Sequence, residues 1–167
     1  MKASNSLTRG GAREAAPDIK PLSIETCWRY LHSQQLGRVT ITAAGRPHVF
    51  PVNFAIAGRT IVFRTAPGTK LSHGPGSVAC FEVDDYDKGS LEGWSVMAFG
   101  VLRDITRGED RLSQRLRQLQ VQPAAPGTMV HWIAMLAEEV TGRSFRGGWL
   151  APAIFLGQEL LISTASR

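Results

Sequence analysis

The chain has 167 residues, enough for one domain with a true core and too few for two ordinary ones. Hydrophobic residues make up 43% and charged residues 20%, a globular balance, and no apolar run approaches the roughly 18 residues of a membrane helix. The formal net charge of +5 suits an anionic ligand, but the cations are scattered without a Lys/Arg block, which argues against nucleic acid.

Residues 1–22 hold Ser4, Asn5, Gly10 and Gly11 with no apolar period, and read as a flexible N-terminal arm. Ser23 is a good N-cap, and Glu25 sits in the first turn where the helix dipole favours it. Ile24, Cys27, Trp28 and Leu31 then recur at helical spacing, and Gly37 is the expected closing cap. Strands are expected over 38–43, 47–56 and 60–65, joined by the short turns Ala44-Gly45 and Ala57-Gly58, which force antiparallel pairing.

After Pro67-Gly68, residues 69–73 have room for a turn or two of helix before Gly74-Pro75-Gly76. A strand over 77–83 follows, then a polar loop over 84–93. Residues 94–105 form a long strand, with Val96, Ala98 and Leu102 on one face and Ser95, Met97 and Phe99 on the other. A helix is expected over 110–120, with Leu112, Leu116 and Leu119 on its apolar face. A loop over 122–128 leads to a last strand over 130–140, and 147–167 is an apolar C-terminal extension broken by Pro152 and Gly157.

Six strands with short links and helices at the margins predict a mainly β fold, a closed or nearly closed antiparallel barrel with short peripheral helices. Cys27 and Cys80 read as buried structural thiols, since no spacing supports a disulfide or zinc site. No basic-then-apolar leader opens the sequence, and a cytoplasmic protein is expected.

The segment Phe63-Arg64-Thr65-Ala66-Pro67-Gly68-Thr69-Lys70 carries the chemistry. A strand end and a helix start there combine a guanidinium fork, an ammonium and two hydroxyls, which is what a phosphate dianion needs. It is not a nucleoside-triphosphate loop, because the Gly-Lys-[Ser/Thr] ending is missing. Pro51 inside an apolar strand marks an edge or a bulge, and Asn53 offers a donor and an acceptor to a flat heterocycle. His32, His48, His73 and His131 have no metal-site spacing, the 84–87 acidic run lacks the glycine and glutamate of a calcium loop, and no nucleophile elbow occurs. A chain without its own nucleophile, base or metal borrows its chemistry from a cofactor.

Six motifs occur in order: Gly37-Arg38-Val39, the stretch from Arg46 to Asn53, the stretch from Phe63 to Lys70, Phe81-Glu82-Val83-Asp84, Gly93-Trp94-Ser95-Val96 and Val140-Thr141-Gly142-Arg143. Together they resemble the pyridoxamine 5′-phosphate oxidase-like family, in the actinobacterial-type branch that is similar to nitroimidazole reductases. The resemblance covers residues 23–146. It implies an FMN-binding split barrel, a homodimer with flavins at the subunit interface, and an FMN-dependent oxidoreductase acting on a small molecule. Pro51, Val52 and Asn53 would line the flavin ring, and Arg64, Thr65, Thr69 and Lys70 would hold the phosphate. Ser95, with Trp94 beside it, would approach the flavin from the neighbouring strand. A deazaflavin or haem in the same fold is the alternative, haem taking His48 or His131 as its ligand; a non-catalytic flavin-binding module is another. The arginine-rich C-terminal segment of true pyridoxamine phosphate oxidases has no counterpart here.

Overall fold

A computed structural model describes residues 18–122 and 130–146. In chain order the elements are β1 (Asp18–Pro21), α1 (Ile24–Ser33), β2 (Leu36–Ala43), β3 (Arg46–Ala57), β4 (Thr60–Thr65), α2 (Thr69–His73), β5 (Val78–Asp87), β6 (Glu92–Asp104), α3 (Arg111–Leu116) and β7 (His131–Arg146). The sheet order is β1-β7-β4-β3-β2-β5-β6, all pairs are antiparallel, and β6 pairs back onto β7. The six expected strands therefore close into a barrel. The strand β1 is a seventh, laid on the far side of β7.

The turn after β2 needs positive φ at both Ala44 (50°) and Gly45 (72°), the geometry that matches the twist of a tight hairpin. Along each strand alternate residues point inward. Phe63, Phe81, Ile41, Ile61, Leu102, Ile133 and Met135 fill the barrel, and Phe54 meets Phe81 edge-on with centroids 4.8 Å apart. Each such buried side chain stabilises the fold by about 1.5–3 kcal/mol. Helix α1 covers one end through Cys27 and Leu31, and its N-cap Ser23 accepts from the N–H of Thr26. A smaller cluster of Val62, Ile105, Leu116 and Ala134 lies on the outer face, contributed by β4, β7, α3 and the chain just past β6.

Several expectations are corrected. The arm is ordered at its end, because Asp18–Pro21 pairs with β7; its residues 1–17 lie outside the described residues. Gly37 belongs to β2 and caps nothing. A Cβ on it would stand 2.3 Å from the Phe81 ring, so its role is to admit that ring. The expected loop over 84–93 is largely strand, its polar residues extending the β5–β6 hairpin beyond the core. Helix α3 is shorter than expected, and Leu112 and Ile24 face solvent rather than the core. Of the two readings of Pro51, edge or bulge, the edge is the one found: its pairing with β2 runs without a register shift, and a bulge lies instead between β6 and β7 at Phe99/Gly100. The last strand runs six residues beyond its expected end at 140, to Arg146. Both cysteines are free; Cys27 is buried, while Cys80 is only half-buried. The expected loop over 122–128 and the extension 147–167 lie outside the described residues, apart from Gln122. Among the described residues no helix is long and apolar enough to cross a membrane.

Candidate functional site

β3 changes partners in the middle. Arg46 through Asn53 pair with β2, whereas Phe54 through Ala57 pair with β4. Beyond that switch Arg64 and Thr65, at the end of β4, pair only with Trp132 and His131 of β7. The two strands part here, and the chain leaves β4 through Pro67-Gly68 into α2. Pro51 lies in the half of β3 that has β2 on one side only, opposite Arg38, so the edge reading of this proline holds.

Arg64 is half-buried at this split. Its guanidinium lies over the Trp132 ring at 5.1 Å from the centroid, and its Nε is buried with no hydrogen-bond partner. Lys70 is half-buried as well, with Nζ 4.5 Å from the centre of the Phe50 ring, and burial pulls its pKa below the usual lysine range. Neither cation is in an ion pair among the described residues, where the bridges are those of Lys20, Arg38 and Arg146. A buried charged donor without an acceptor costs free energy that an anion would recover.

The hydroxyls serve unequally. Thr65 is buried and donates to the Ala66 carbonyl, 3.0 Å away, while Thr69 opens α2 and is exposed. Helix α2 has only five residues, and its N-cap Gly68 (φ 147°) offers no side-chain cap. So short a helix adds little dipole, and the two cations dominate the electrostatics.

On β3, Val52 is buried and points into the core, so only its backbone could face a ligand. Asn53 opens onto a cavity of about 210 Å³ shared with Gln35, Phe54, Gln120 and Gln122. Nothing in the sequence signalled those three glutamines, which come from two segments far apart in the chain. Trp132 was legible only as a strand residue; its place over Arg64 depends on β4–β7 register.

Trp94 and Ser95 stand elsewhere. Trp94 stacks on Tyr30 with centroids 4.1 Å apart and 10° between planes. Ser95 pairs with Arg143 on β7, eleven positions from Trp132, the partner of Arg64. At about 3.3 Å per residue that is roughly 35 Å of strand. Within one protomer Arg64 and the Trp94–Ser95 pair are therefore far apart along β7. Among the histidines, His48 stacks on Phe50 at 6.2 Å and the Nδ1 of His131 is buried without a partner. No cluster of metal-ligating side chains occurs among the described residues.

A closed antiparallel barrel that opens at one strand switch, beside two unpaired cations, defines the split-barrel class. The chain belongs to the pyridoxamine 5′-phosphate oxidase family, whose model matches residues 23–144. The uncharacterized protein Rv0080 of Mycobacterium tuberculosis is 30% identical over 109 residues, 59% of this chain and 72% of that protein. An FAD binding protein from Mycobacterium smegmatis has a similar structure at 38% identity, with a TM-score of 0.63, covering 75% of this chain and 97% of that one. An FAD and haem binding protein from the same organism shares the fold at 18% identity and a TM-score of 0.55, covering 80% of this chain and 77% of that one.

Proposed function

We propose that this chain binds a flavin through its phosphate at the split between β3 and β4, and acts as a flavin-dependent oxidoreductase on a small molecule. The observation that carries this reading is Arg64, whose buried Nε has no acceptor and whose guanidinium is already oriented by Trp132. Lys70 supplies the second charge. Asn53 supplies hydrogen bonds to a heterocycle edge, and the unpaired edge of β3 around Pro51 gives a flat ring access to backbone. A bound flavin supplies hydride or electron transfer; the residues named here bind it, orient it and exclude water from its phosphate.

FMN is the cofactor of this proposal. The FAD binding protein at 38% identity supports FAD as a second reading, since both nucleotides present a phosphate to the same cations.

A homodimer belongs to the same proposal. Val78, Val101 and Leu136 are in register across β5, β6 and β7, and Val78 and Leu136 are 71% and 55% exposed. Such an apolar row on the outside of a barrel suits a second copy. A partner would also be the source of Trp94 and Ser95, which one protomer holds far from its own Arg64. A cytoplasmic location, consistent with two free thiols, completes the reading.

The test is to purify the full chain, record its visible spectrum, and titrate cofactor-free protein with FMN and with FAD. Saturable uptake near one flavin per chain is expected. Failure to take up either nucleotide overturns the proposal.

A further inference from the structure

Both cations at the split rest on an aromatic ring, and the two rings come from different strands. Trp132 of β7 carries Arg64, and Phe50 of β3 carries Lys70, whose Nζ lies 4.5 Å from the ring centre. A lysine side chain is long, flexible and strongly hydrated, so a fixed ammonium needs a support. Helix α2 secures only its root. The N–H groups of Leu71 and Ser72 donate to the Gly68 carbonyl, and that of Gly74 donates to the Lys70 carbonyl, which pins the backbone but not the stem.

Phe50 is itself held. It packs partly buried against the barrel core, opposite the fully buried Val39 of β2. His48, two positions back on the same face of β3, stacks on it with 8° between the ring planes. Lys70 has no ion-pair partner among the described residues, and burial is the one cause that lowers its pKa. The charged and titratable groups on the elements around it are Arg38 on β2, Arg46 and His48 on β3, and His73 on α2; Arg38 is tied to Glu82 and Asp84. An imidazole does not change charge in the alkaline range. Burial favours the neutral amine, whereas an aromatic face favours the ammonium.

We propose that Phe50 is a positioning residue of the phosphate site: its ring keeps the Lys70 ammonium charged and aimed, without touching the cofactor. This role rests on the flavin reading of the split, but the hold of ring on ammonium is a property of the flavin-free protein. One side chain has two opposed effects here. As an apolar neighbour Phe50 shields Lys70 from water, which favours loss of the proton; as an aromatic face it retains the charge that a phosphate needs. Leucine keeps the first effect and loses the second. In Phe50→Leu the amine therefore gives up its proton at lower pH. FMN affinity then begins to fall at lower pH too, because its alkaline limb starts at the pKa of the flavin-free protein.

The full chain has four lysines, so carbon-13 NMR of labelled lysine identifies Lys70 as the signal missing in Lys70→Met. In flavin-free Phe50→Leu that signal should titrate about half a pH unit below its position in the natural chain, and Phe50→Tyr should keep it near the natural value. FMN affinity should fall by roughly two- to thirtyfold in Phe50→Leu with riboflavin affinity unchanged. In the Lys70→Met background Phe50→Leu should have little further effect on FMN. A signal that titrates higher in Phe50→Leu would show that the ring only shields the amine, and one that stays in place would show no hold at all; either overturns the proposal. So does an equal loss of FMN and riboflavin affinity, or an undiminished loss in the Lys70→Met background, since both mark a ring that acts only on the fold. If the natural chain takes up no FMN, the phosphate role falls with the flavin reading, while the titration still decides whether the ring holds the ammonium.

Discussion

Arg64 and Trp132 are Cα partners across the β4–β7 ladder, and the guanidinium of the first lies over the indole of the second at 5.1 Å. The stack holds the fork in one orientation with Nε buried and unpaired.

Removing the indole should therefore weaken flavin binding without touching a phosphate ligand. Trp132→Leu should cost about 0.5–2 kcal/mol, or roughly two- to thirtyfold in affinity, and Trp132→Phe should lose less. Fluorescence titration of the folded variants reads this out. Unchanged affinity in Trp132→Leu would mean the stack does not prepare Arg64.

Lys70 makes the flavin-free protein sensitive to alkaline pH. Burial lowers its folded-state pKa below the usual 10.5, so in the window between the two values the unfolded chain holds more protons than the folded one. Stability then rises with pH across that window. Urea midpoints of the natural chain should climb relative to those of Lys70→Met up to about pH 10.5. Flavin affinity should fall over the same window, as the amine loses the charge that pairs with phosphate. Parallel stability profiles for the two proteins would contradict the assignment.

The six barrel strands and the N-cap at Ser23 were legible because alternation and short turns are local signals. Val96, Ala98 and Leu102 are buried as their alternation predicts, and the Ala44-Gly45 turn allows only an antiparallel return. The extent of the β5–β6 hairpin was not legible, since Asp84, Asp85 and Asp87 carry turn chemistry yet are paired by a neighbouring strand. Gly37 looked like a cap because a glycine after a helix often is one. Its use here depends on Phe81, forty-four residues later, which no local pattern reveals. The cations at 64 and 70 were legible in the sequence, whereas Trp132 meets Arg64, and Gln35, Gln120 and Gln122 meet Asn53, only through the tertiary register.

The apolar row across β5–β7 predicts self-association. Sedimentation at micromolar concentration should give about twice the 18.2 kDa chain mass. Val78→Glu combined with Leu136→Glu should give a folded monomer that has lost most of its flavin affinity. A natural chain that stays monomeric while binding flavin at full stoichiometry would rule out the shared site.

Pyridoxine phosphate should be a poor substrate. It brings its own dianion, and a second cationic pocket would have to receive it. Arg146 is tied to Glu92, and Arg143 is exposed on β7 between Ser95 and Pro21. A steady-state assay with pyridoxine phosphate and oxygen should show turnover well below the typical range of about 1–1000 per second. Turnover within that range would sink this expectation.

Comparing FMN with riboflavin tests most directly whether the split holds a flavin phosphate, because the two ligands differ only in that group. The natural chain should bind FMN at least about tenfold more tightly than riboflavin. Arg64→Ala and Lys70→Ala should each weaken FMN by about 1.5–3 kcal/mol, roughly ten- to a hundredfold, and leave riboflavin affinity unchanged. Equal affinity for the two ligands in the natural chain, or an FMN preference that survives intact in both variants, would place the phosphate away from Arg64 and Lys70.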